Sequence, residues 1–404
     1  MIFNLYRSRL SFGVVLRDLT PELQASARSF PIVTLNGPRQ SGKSTLCRAT
    51  FPKLAYANLE DPSVREFAVT DPKRFLTQFS DGAILDEIQH APQLVSHRQV
   101  IVDEDPRPGR WVLTGSQNFT LTHAVSQSLA GRTAMLQLPP LNWAEVSRFE
   151  RAPADLDTAM LFGGYPRIHD AGMEPARWLQ SYVQTYLERD VRSLKSVGDL
   201  STFQKFLQLC AGRTGQLLKL SSLADDCGIT QPTAKAWMSV LEASFIVFLL
   251  RPWFSNSDKR LVKSPKLHFF DSGLVCWLMG IREPGQLAVH PMRGSIFESW
   301  AAAEIYKQRL ARGDGSGIYF YRDAKEREAD MLLEARPPAG HPWVIEMKSG
   351  STIVNDMLKS GLRIAGQLPD MTTLQTAIVY GGDVSQERSD CKVVPWRKVQ
   401  MTAW

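Results

Sequence analysis

The residues with the most specific chemistry in this chain are eight in a row, Gly37-Pro38-Arg39-Gln40-Ser41-Gly42-Lys43-Ser44. They fit the pattern G-x-x-x-x-G-K-[ST] at every position, between an apolar run at 31–35 and a helical stretch that opens at Thr45. An apolar strand, this loop and a helix in that order make a phosphate-binding loop. The glycines let successive backbone N–H groups converge on phosphate oxygens, and the helix N-terminus adds its positive end. Lys43 is expected to reach the β- and γ-phosphates and Ser44 to ligand Mg²⁺, with the backbone of Gly37 to Thr45 as the cradle. The ligands implied are ATP and Mg²⁺.

A pair of acids, Asp86-Glu87, follows the apolar run Ala83-Ile84-Leu85. An acid at the end of a buried strand near such a loop holds the metal, usually through water. Glu87, one residue on, is placed to polarise an attacking water as general base. A third run, 111–113, ends in Thr114-Gly115-Ser116-Gln117-Asn118. Those small polar side chains fit contact with the terminal phosphate or the water, and fit equally a capped turn into a helix. Arg132 precedes the run 134–138 and has two readings: a finger reaching a neighbouring subunit's nucleotide, or a structural ion-pair partner.

A second constellation lies toward the C-terminus. Glu298 is on an apolar helical stretch, Asp330 opens the run 330–333, and Glu346-Met347-Lys348 closes the run 343–347. Strand side chains alternate, so Glu346 and Lys348 share a face. The order is similar to the restriction-endonuclease-like fold, which implies acids that hold Mg²⁺ and a lysine that orients or deprotonates water for phosphodiester cleavage. The same acids also fit a cluster neutralised by Lys348 and Arg322 that performs no chemistry.

The elements that must position these groups follow from apolar periodicity. Residues 31–140 alternate short apolar runs, at 31–35, 54–59, 83–85, 111–113 and 134–138, with helical stretches, which indicates a mainly parallel sheet. After Pro139-Pro140 the chain reads as helices, with Trp178, Tyr182, Tyr186 and Leu187 spaced for one face. Residues 221–241 read as helix–turn–helix, with Gly228 ending the first helix, Thr230 capping the second and Pro232 near its start. The run 245–250 is expected to form a wing. Such a unit presents a recognition helix to DNA, or serves packing and protein contact; here the second helix offers Lys235 alone as a cation, with Gln231, Thr233 and Trp237 nearby.

With these motifs in place, the chain resembles the prokaryotic AAA-type ATPases that carry a C-terminal domain of unknown function. The phosphate loop, Leu85-Asp86-Glu87, Thr114-Gly115-Ser116, Gly131-Arg132 and Gly163-Gly164-Tyr165-Pro166 occur in that family's order. Tyr186-Leu187-Glu188-Arg189-Asp190, Phe270-Asp271-Ser272-Gly273-Leu274 and Phe297-Glu298 extend the resemblance over about residues 30–380. It is also similar to additional-strand P-loop ATPases, whose catalytic acid follows the Walker-B aspartate as Glu87 follows Asp86.

Composition sets outer limits. With 44% hydrophobic and 22% charged residues among 404, disorder and a fibre are excluded. The charge of +6 permits contact with nucleic acid without requiring it. Five scattered cysteines, Cys47, Cys210, Cys227, Cys276 and Cys391, with no C-x-x-C pair, exclude a disulfide scaffold and fit reduced thiols in a cytoplasm. The longest apolar stretch, 245–250, is far short of the roughly 20 residues a membrane span needs, and the N-terminus reads as no signal peptide. The expected fold is α/β in three units: a parallel-sheet P-loop ATPase domain at 1–150, a helical and winged-helix region at 151–258, and an endonuclease-like α/β domain at 259–404. The expected reaction is ATP plus water to ADP and phosphate; a kinase fits less well, because no acceptor-binding lid is visible. DNA, a protein partner and a second copy of the chain are the candidate partners.

Overall fold

A computed structural model describes residues 15–96, 105–116, 131–187, 200–253, 264–323, 325–335, 341–354, 357, 364, 374–389 and 391–404. The first sheet contains β1 (Ile32–Asn36), β2 (Ala55–Asn58), β3 (Ala83–Asp86), β4 (Trp111–Gly115) and β5 (Thr133–Gln137). All pairs are parallel, in the order β2-β3-β4-β1-β5. β1, β3 and β4 are buried along their whole length, which is why each reads as an unbroken apolar run. Helices Thr20–Ser29 and Lys43–Thr50 cover one face through Leu23, Ala27, Leu46 and Cys47. Helices Pro62–Thr70 and Pro72–Thr77 cover the other through Ala68, Phe75 and Leu76. Each of that second pair starts with an aspartate cap, Asp61 and Asp71, followed by proline. Because β4 lies between β1 and β3, the acid pair is two strands from the loop, the additional-strand arrangement that the resemblance implies.

The second sheet has nine strands: β6 (Gln216–Leu217), β7 (Val247–Pro252), β8 (Lys266–Phe269), β9 (Ile318–Arg322), β10 (Glu328–Leu333), β11 (Trp343–Lys348), β12 (Gln375–Tyr380), β13 (Gln386–Glu387) and β14 (Lys392–Pro395). Their order is β13-β14-β12-β11-β10-β9-β7-β8-β6. The helix Arg293–Ala311 packs on this sheet with its apolar residues all round, as a buried helix does.

The helix–turn–helix forms as its caps dictate. Helix Leu220–Cys227 ends at Gly228, whose φ is 73°, and helix Gln231–Ala243 is capped by Thr230 accepting from Thr233 N at 3.3 Å. The run 245–250 lies in β7, which pairs antiparallel with β8 and, at its end, parallel with β9, and Val247, Phe248 and Leu250 are buried. The connection between β7 and β8, where a wing would turn, lies at 254–263, outside the described residues. One expectation is corrected: Trp237 is not on a reading surface, since it packs edge-on against Phe203 and Phe206, with centroids 5.3 and 5.4 Å away.

Two of the family motifs turn out to be one joint. Asp271 is buried and accepts from Leu274 N at 2.9 Å, capping helix Ser272–Leu278, and from Gly164 N at 2.7 Å. A Cβ on Gly163, at φ 65°, would lie 2.4 Å from that carboxylate, so only glycine fits. Tyr165 beside it packs at a tilt against Trp178 and Tyr182, with ring centroids 4.8 and 4.7 Å away. Residues 188–190 of the Tyr186–Asp190 motif lie outside the described residues.

β8 also buries a histidine. The His268 ring stacks on Phe248 at 5.3 Å, and neither ring nitrogen has a hydrogen-bond partner among the described residues. Burial, helped by the Lys266 ammonium, lowers its pKa from 6.5 to about 3. The folded chain therefore keeps this imidazole neutral, while the unfolded chain takes up a proton below pH 6.5. The stability this neutral ring permits is fully present above that pH and is lost as pH falls toward 3. Between pH 7 and pH 5 the loss from this one residue is about 2 kcal/mol. Urea unfolding of the wild type and His268→Leu at both pH values checks this: the variant should lose less stability on acidification by about that amount, and equal losses would rule out the assignment.

Candidate active site

The phosphate loop leaves β1 at Asn36 and enters helix Lys43–Thr50. Gln40 and Gly42 take positive φ, 62° and 91°, the alternating backbone turns of an anion-binding nest. Gly37 lies so close to the strand that follows β5 that a Cβ would fall 2.2 Å from the Leu138 carbonyl. Lys43 is buried, and its ammonium donates to the carbonyls of Gly37 at 3.0 Å and Pro38 at 2.8 Å. Burial lowers its pKa, against the pull of Glu87 and Asp86. Asn36 Oδ1 and Ser41 Oγ, one on each side of the loop, are buried polar atoms with no hydrogen-bond partner among the described residues.

Asp86 ends β3 with its carboxylate buried under three hydroxyls. Ser44 Oγ donates to it at 2.9 and 2.7 Å, Tyr56 OH donates at 2.6 Å, and Thr114 Oγ1 donates to Oδ1. Burial first, and then the carboxylate itself, raise the Tyr56 pKa, so the phenol remains a donor. Ser44 and Asp86, the two expected metal ligands, thus meet directly. A serine and one carboxylate suit a magnesium whose remaining positions are taken by phosphate and water, rather than an all-protein cage. The donor set, the nest and the orphaned loop atoms fit a nucleotide with its metal.

Glu87 has φ 56° and ψ 48°, a left-handed backbone seldom adopted by a residue with a Cβ. Its N–H donates to Thr114 Oγ1 at 3.3 Å. Its Oε2 accepts from Ser116 Oγ at 3.0 Å and from the Gln89 amide. So Thr114 and Ser116 hold the acid pair, Thr114 through Asp86 and Ser116 through Glu87; Gln117 and Asn118 lie outside the described residues. Arg39 and Thr45 stand in and just after the loop as expected. Arg132 is not brought there. Its carbonyl accepts from Ile32 N at 3.4 Å, and Thr133 pairs with Ile32, at the opposite edge of the parallel sheet from Asn36. A five-residue strand, at about 3.3 Å per residue, separates it from its own chain's loop.

Arg17, Tyr56 and Gln89 escaped the sequence reading. Arg17 is buried; Nε donates to Glu145 Oε1 at 2.9 Å, and the two Nη atoms donate to the carbonyls of Ser41 at 2.7 Å and Pro139 at 2.8 Å. No motif marks it, because its partners lie 24 to 128 residues away. Tyr56 is hidden in the same way within the run that forms β2.

The second constellation also converges, around a residue that was not foreseen. Lys348 Nζ is 3.0 Å from Glu346 and 3.7 Å from Asp330, and Asp330 Oδ2 accepts from Met347 N at 2.7 Å. A register shift between Ala329 and Leu332 re-aims Asp330. Glu298 approaches from the helix Arg293–Ala311. Between these acids stands Lys266 of β8, its side chain 3% exposed, 2.7 Å from Glu298, 2.5 Å from Glu328 and 3.7 Å from Asp330. Burial pulls the Lys266 pKa down, but Glu298, Asp330 and Glu328 outweigh it and keep the ammonium charged. Glu298, which shares that ammonium with two other acids, is pushed well above the usual carboxylate range by burial and then by Asp330. A lysine ammonium thus stands between Glu298 and Asp330, two of the acids that the nuclease reading gathers, and no cluster of acids, histidines and cysteines suited to a metal occurs among the described residues. The donors around Lys266 do not fit Mg²⁺ with that ammonium in place.

Comparison with known proteins agrees on the first unit. The model of an AAA domain matches residues 29–147. Two domains of unknown function, DUF8612 and DUF4143, match 153–285 and 293–399. The uncharacterized proteins Mb2031c of Mycobacterium bovis and Rv2008c of Mycobacterium tuberculosis are each 31% identical over 382 residues, covering 93% of this chain and 82% of the relative. Uncharacterized protein MJ1637 of Methanocaldococcus jannaschii is 24% identical over 247 residues, 60% of this chain and 48% of that one. The Walker-type ATPase PABY2304 of Pyrococcus abyssi is similar at a TM-score of 0.44 and 16% identity, over 65% of this chain and 94% of that one, too distant a likeness to bear on mechanism. Among the described residues no helix is long and apolar enough to cross a membrane.

The lysine in the acid cluster is testable. Lys266→Met leaves Glu298, Glu328 and Asp330 without their shared cation, and should destabilise the fold by about 3–5 kcal/mol. Added Mn²⁺, measured by urea unfolding without nucleotide, should restore part of that loss in the variant and leave the wild type unchanged. A variant as stable as wild type, or a wild type equally stabilised by Mn²⁺, would show that Lys266 is not the cluster's resident cation.

Proposed function

This chain belongs to one family with the mycobacterial proteins Mb2031c and Rv2008c, and on that premise we propose that it is an Mg²⁺-dependent ATPase in which nucleotide state governs contact with a protein partner. The observation that carries the reading is the meeting of Ser44 and Asp86 at 2.7 Å, with Glu87 held beside them by Ser116 at 3.0 Å. The AAA domain, matched at 29–147, is the nucleotide-binding unit.

Bound Mg²⁺-ATP supplies the phosphoryl group and the cation that offsets its charge. Lys43 exchanges its two loop carbonyls for phosphate oxygens, which are stronger acceptors for an ammonium. Ser44 Oγ and the Asp86 carboxylate would hold the metal, with Tyr56 and Thr114 keeping Asp86 oriented. Glu87 accepts a proton from water at its carboxylate as the water oxygen attacks, and Ser116 and Gln89 fix the direction from which it does so. The strained backbone at Glu87 is consistent with a position selected for chemistry. Arg132 remains a candidate finger only toward a neighbouring copy of the chain, since its own loop is out of reach.

Two features favour a protein-directed switch with an inert C-terminal unit. Lys266 occupies the acid cluster, and the second helix of the helix–turn–helix offers DNA one cation, Lys235. The competing reading, an ATP-regulated enzyme on DNA, rests on the convergence of Glu298, Asp330, Glu346 and Lys348 in one cluster. A partner for either reading belongs to the same test.

Phosphate release with Mg²⁺-ATP, alone and with duplex or single-stranded DNA, decides between them. Glu87→Gln should keep ATP binding and lose turnover by a factor on the order of 10²–10⁴. Turnover indifferent to DNA is expected. Turnover raised by DNA, with plasmid nicking that disappears in Lys348→Ala, would transfer the reading to the DNA enzyme; wild type that binds ATP without turnover would refute hydrolysis by the chain alone.

A further inference from the structure

Two buried ion pairs hold the short segment between the AAA domain and the rest of the chain, one on each side. On the loop side, Arg17 bonds the carbonyls of Ser41 and Pro139 at 2.7 and 2.8 Å and the Glu145 carboxylate at 2.9 Å. Glu145 Oε1 also accepts from Asp18 N at 2.7 Å and Oε2 from Asn142 N at 3.0 Å, while Asn142 Oδ1 accepts from Glu145 N at 2.8 Å, so this carboxylate closes a capping box on helix Trp143–Val146. On the far side, Glu304 Oε2 accepts from Trp143 N at 2.6 Å, and Lys307 Nζ donates to Leu141 O at 3.0 Å and to Glu304 at 3.1 Å. Gln400 donates to the same Glu304 oxygen at 2.7 Å. Arg17, Glu145, Glu304 and Lys307 are all buried. The capping box and the Glu304–Lys307 pair are local, whereas the bonds of Arg17, of Asp18 N, of Trp143 N, of Leu141 O and of Gln400 join residues at least 24 apart in sequence and need the tertiary fold.

We propose that Arg17 is a positioning residue for the phosphate loop and the first member of a relay, Ser41–Arg17–Glu145–Trp143–Glu304, that makes the helix Arg293–Ala311 respond to the nucleotide. The proposal rests on the ATPase reading, since it needs a phosphate to order the loop. The geometry gives Arg17 this role because its planar fork grips the loop backbone and the junction together. Nη1 lies 3.8 Å from where a Cβ of Gly42 would stand, so the fork abuts the residue that starts the Walker helix. An ordered loop fixes the Ser41 carbonyl; Arg17 then has one orientation; Glu145 and the capped helix follow; and Trp143 N sets where Glu304, and with it the long helix, can sit. A lysine at position 17 keeps the charge but cannot bond three acceptors in one plane.

The test uses the full chain and two readings: affinity for a fluorescent ATP analogue, and hydrogen exchange of residues 293–311 with and without saturating Mg²⁺-ATP. In wild type, exchange in this helix should change on binding. Arg17→Lys should weaken ATP binding by a factor on the order of tenfold and abolish the exchange response even at saturation. Glu145→Gln, which leaves Arg17 on the loop carbonyls, should bind within about threefold of wild type and still lose the response, and it stands in if Arg17→Lys does not fold. A purely structural part for these residues would lower stability in both variants while leaving the exchange difference intact, and that result overturns the relay. So does wild-type binding with no change at 293–311. Wild type that binds no ATP is a different failure, of the ATPase reading itself, and takes the proposal with it.

Discussion

Arg17 and Glu145 stand 2.9 Å apart with both side chains nearly closed to water, and the position of the phosphate loop depends on that pair. A buried guanidinium must satisfy its donors or it destabilises the fold by several kcal/mol. Here the donors are spent on two backbone carbonyls and one carboxylate, each from a different part of the chain. The loop, the segment after β5 and the capped helix Trp143–Val146 therefore have one joint arrangement in which all of them are satisfied. Such a pair adds little net stability over an apolar substitute, because desolvation offsets much of its Coulomb energy. What it supplies is geometric: alternatives that separate the elements leave a charge buried and alone. The same logic governs Asp86 under its three hydroxyls, Glu304 with Lys307, and Lys266 among three acids.

Much of the first unit was legible in the sequence, and the reason is local. A loop that binds phosphate needs its glycines, lysine and serine at fixed spacing, and a buried parallel strand must be apolar at every position. Both requirements act over a handful of residues, so all five strands appear within one or two residues of where the runs 31–35, 54–59, 83–85, 111–113 and 134–138 put them. Gly228 and Thr230 were legible for the same reason, since a cap is a matter of three or four residues. What escaped was anything decided across the sequence. Arg17 and Tyr56 look like any arginine before a helix and any tyrosine in a strand. The run 245–250 reads as a strand, and nothing in it foretells that the end of β7 joins β9 of the second sheet.

The acid cluster shows the same limit from the other side. Glu298, Asp330, Glu346 and Lys348 were chosen by their order, and they do converge. Order could not reveal that Lys266, from a strand that pairs with β7, reaches into their midst. A single ammonium changes what the acids can do, because it offsets part of their charge and fills the space between them, whereas the same three carboxylates without it would attract a divalent ion. Function at such a cluster turns on one side chain more than on the fold, since fold does not imply function.

The helix Arg293–Ala311 ties these themes together. Its 19 residues span roughly 28 Å at 1.5 Å per residue. Along it stand Glu298 in the acid cluster and, about 9 Å further on by the same rise, Glu304 at the junction with the AAA domain. A helix packed on all sides does not bend easily, so a shift at Glu304 is carried to Glu298 almost undiminished. At the cluster, Lys266, Glu328 and Asp330 are fixed to β8 and β10, while Glu298 alone comes from the helix. The Glu298–Lys266 contact is therefore the one in the cluster that such a shift would lengthen first. Glu298 is also a reluctant carboxylate, since burial and then Asp330 press its pKa upward. Separating it from Lys266 would leave a buried ammonium short of a partner, so this contact ties the seating of the helix to the order of the cluster.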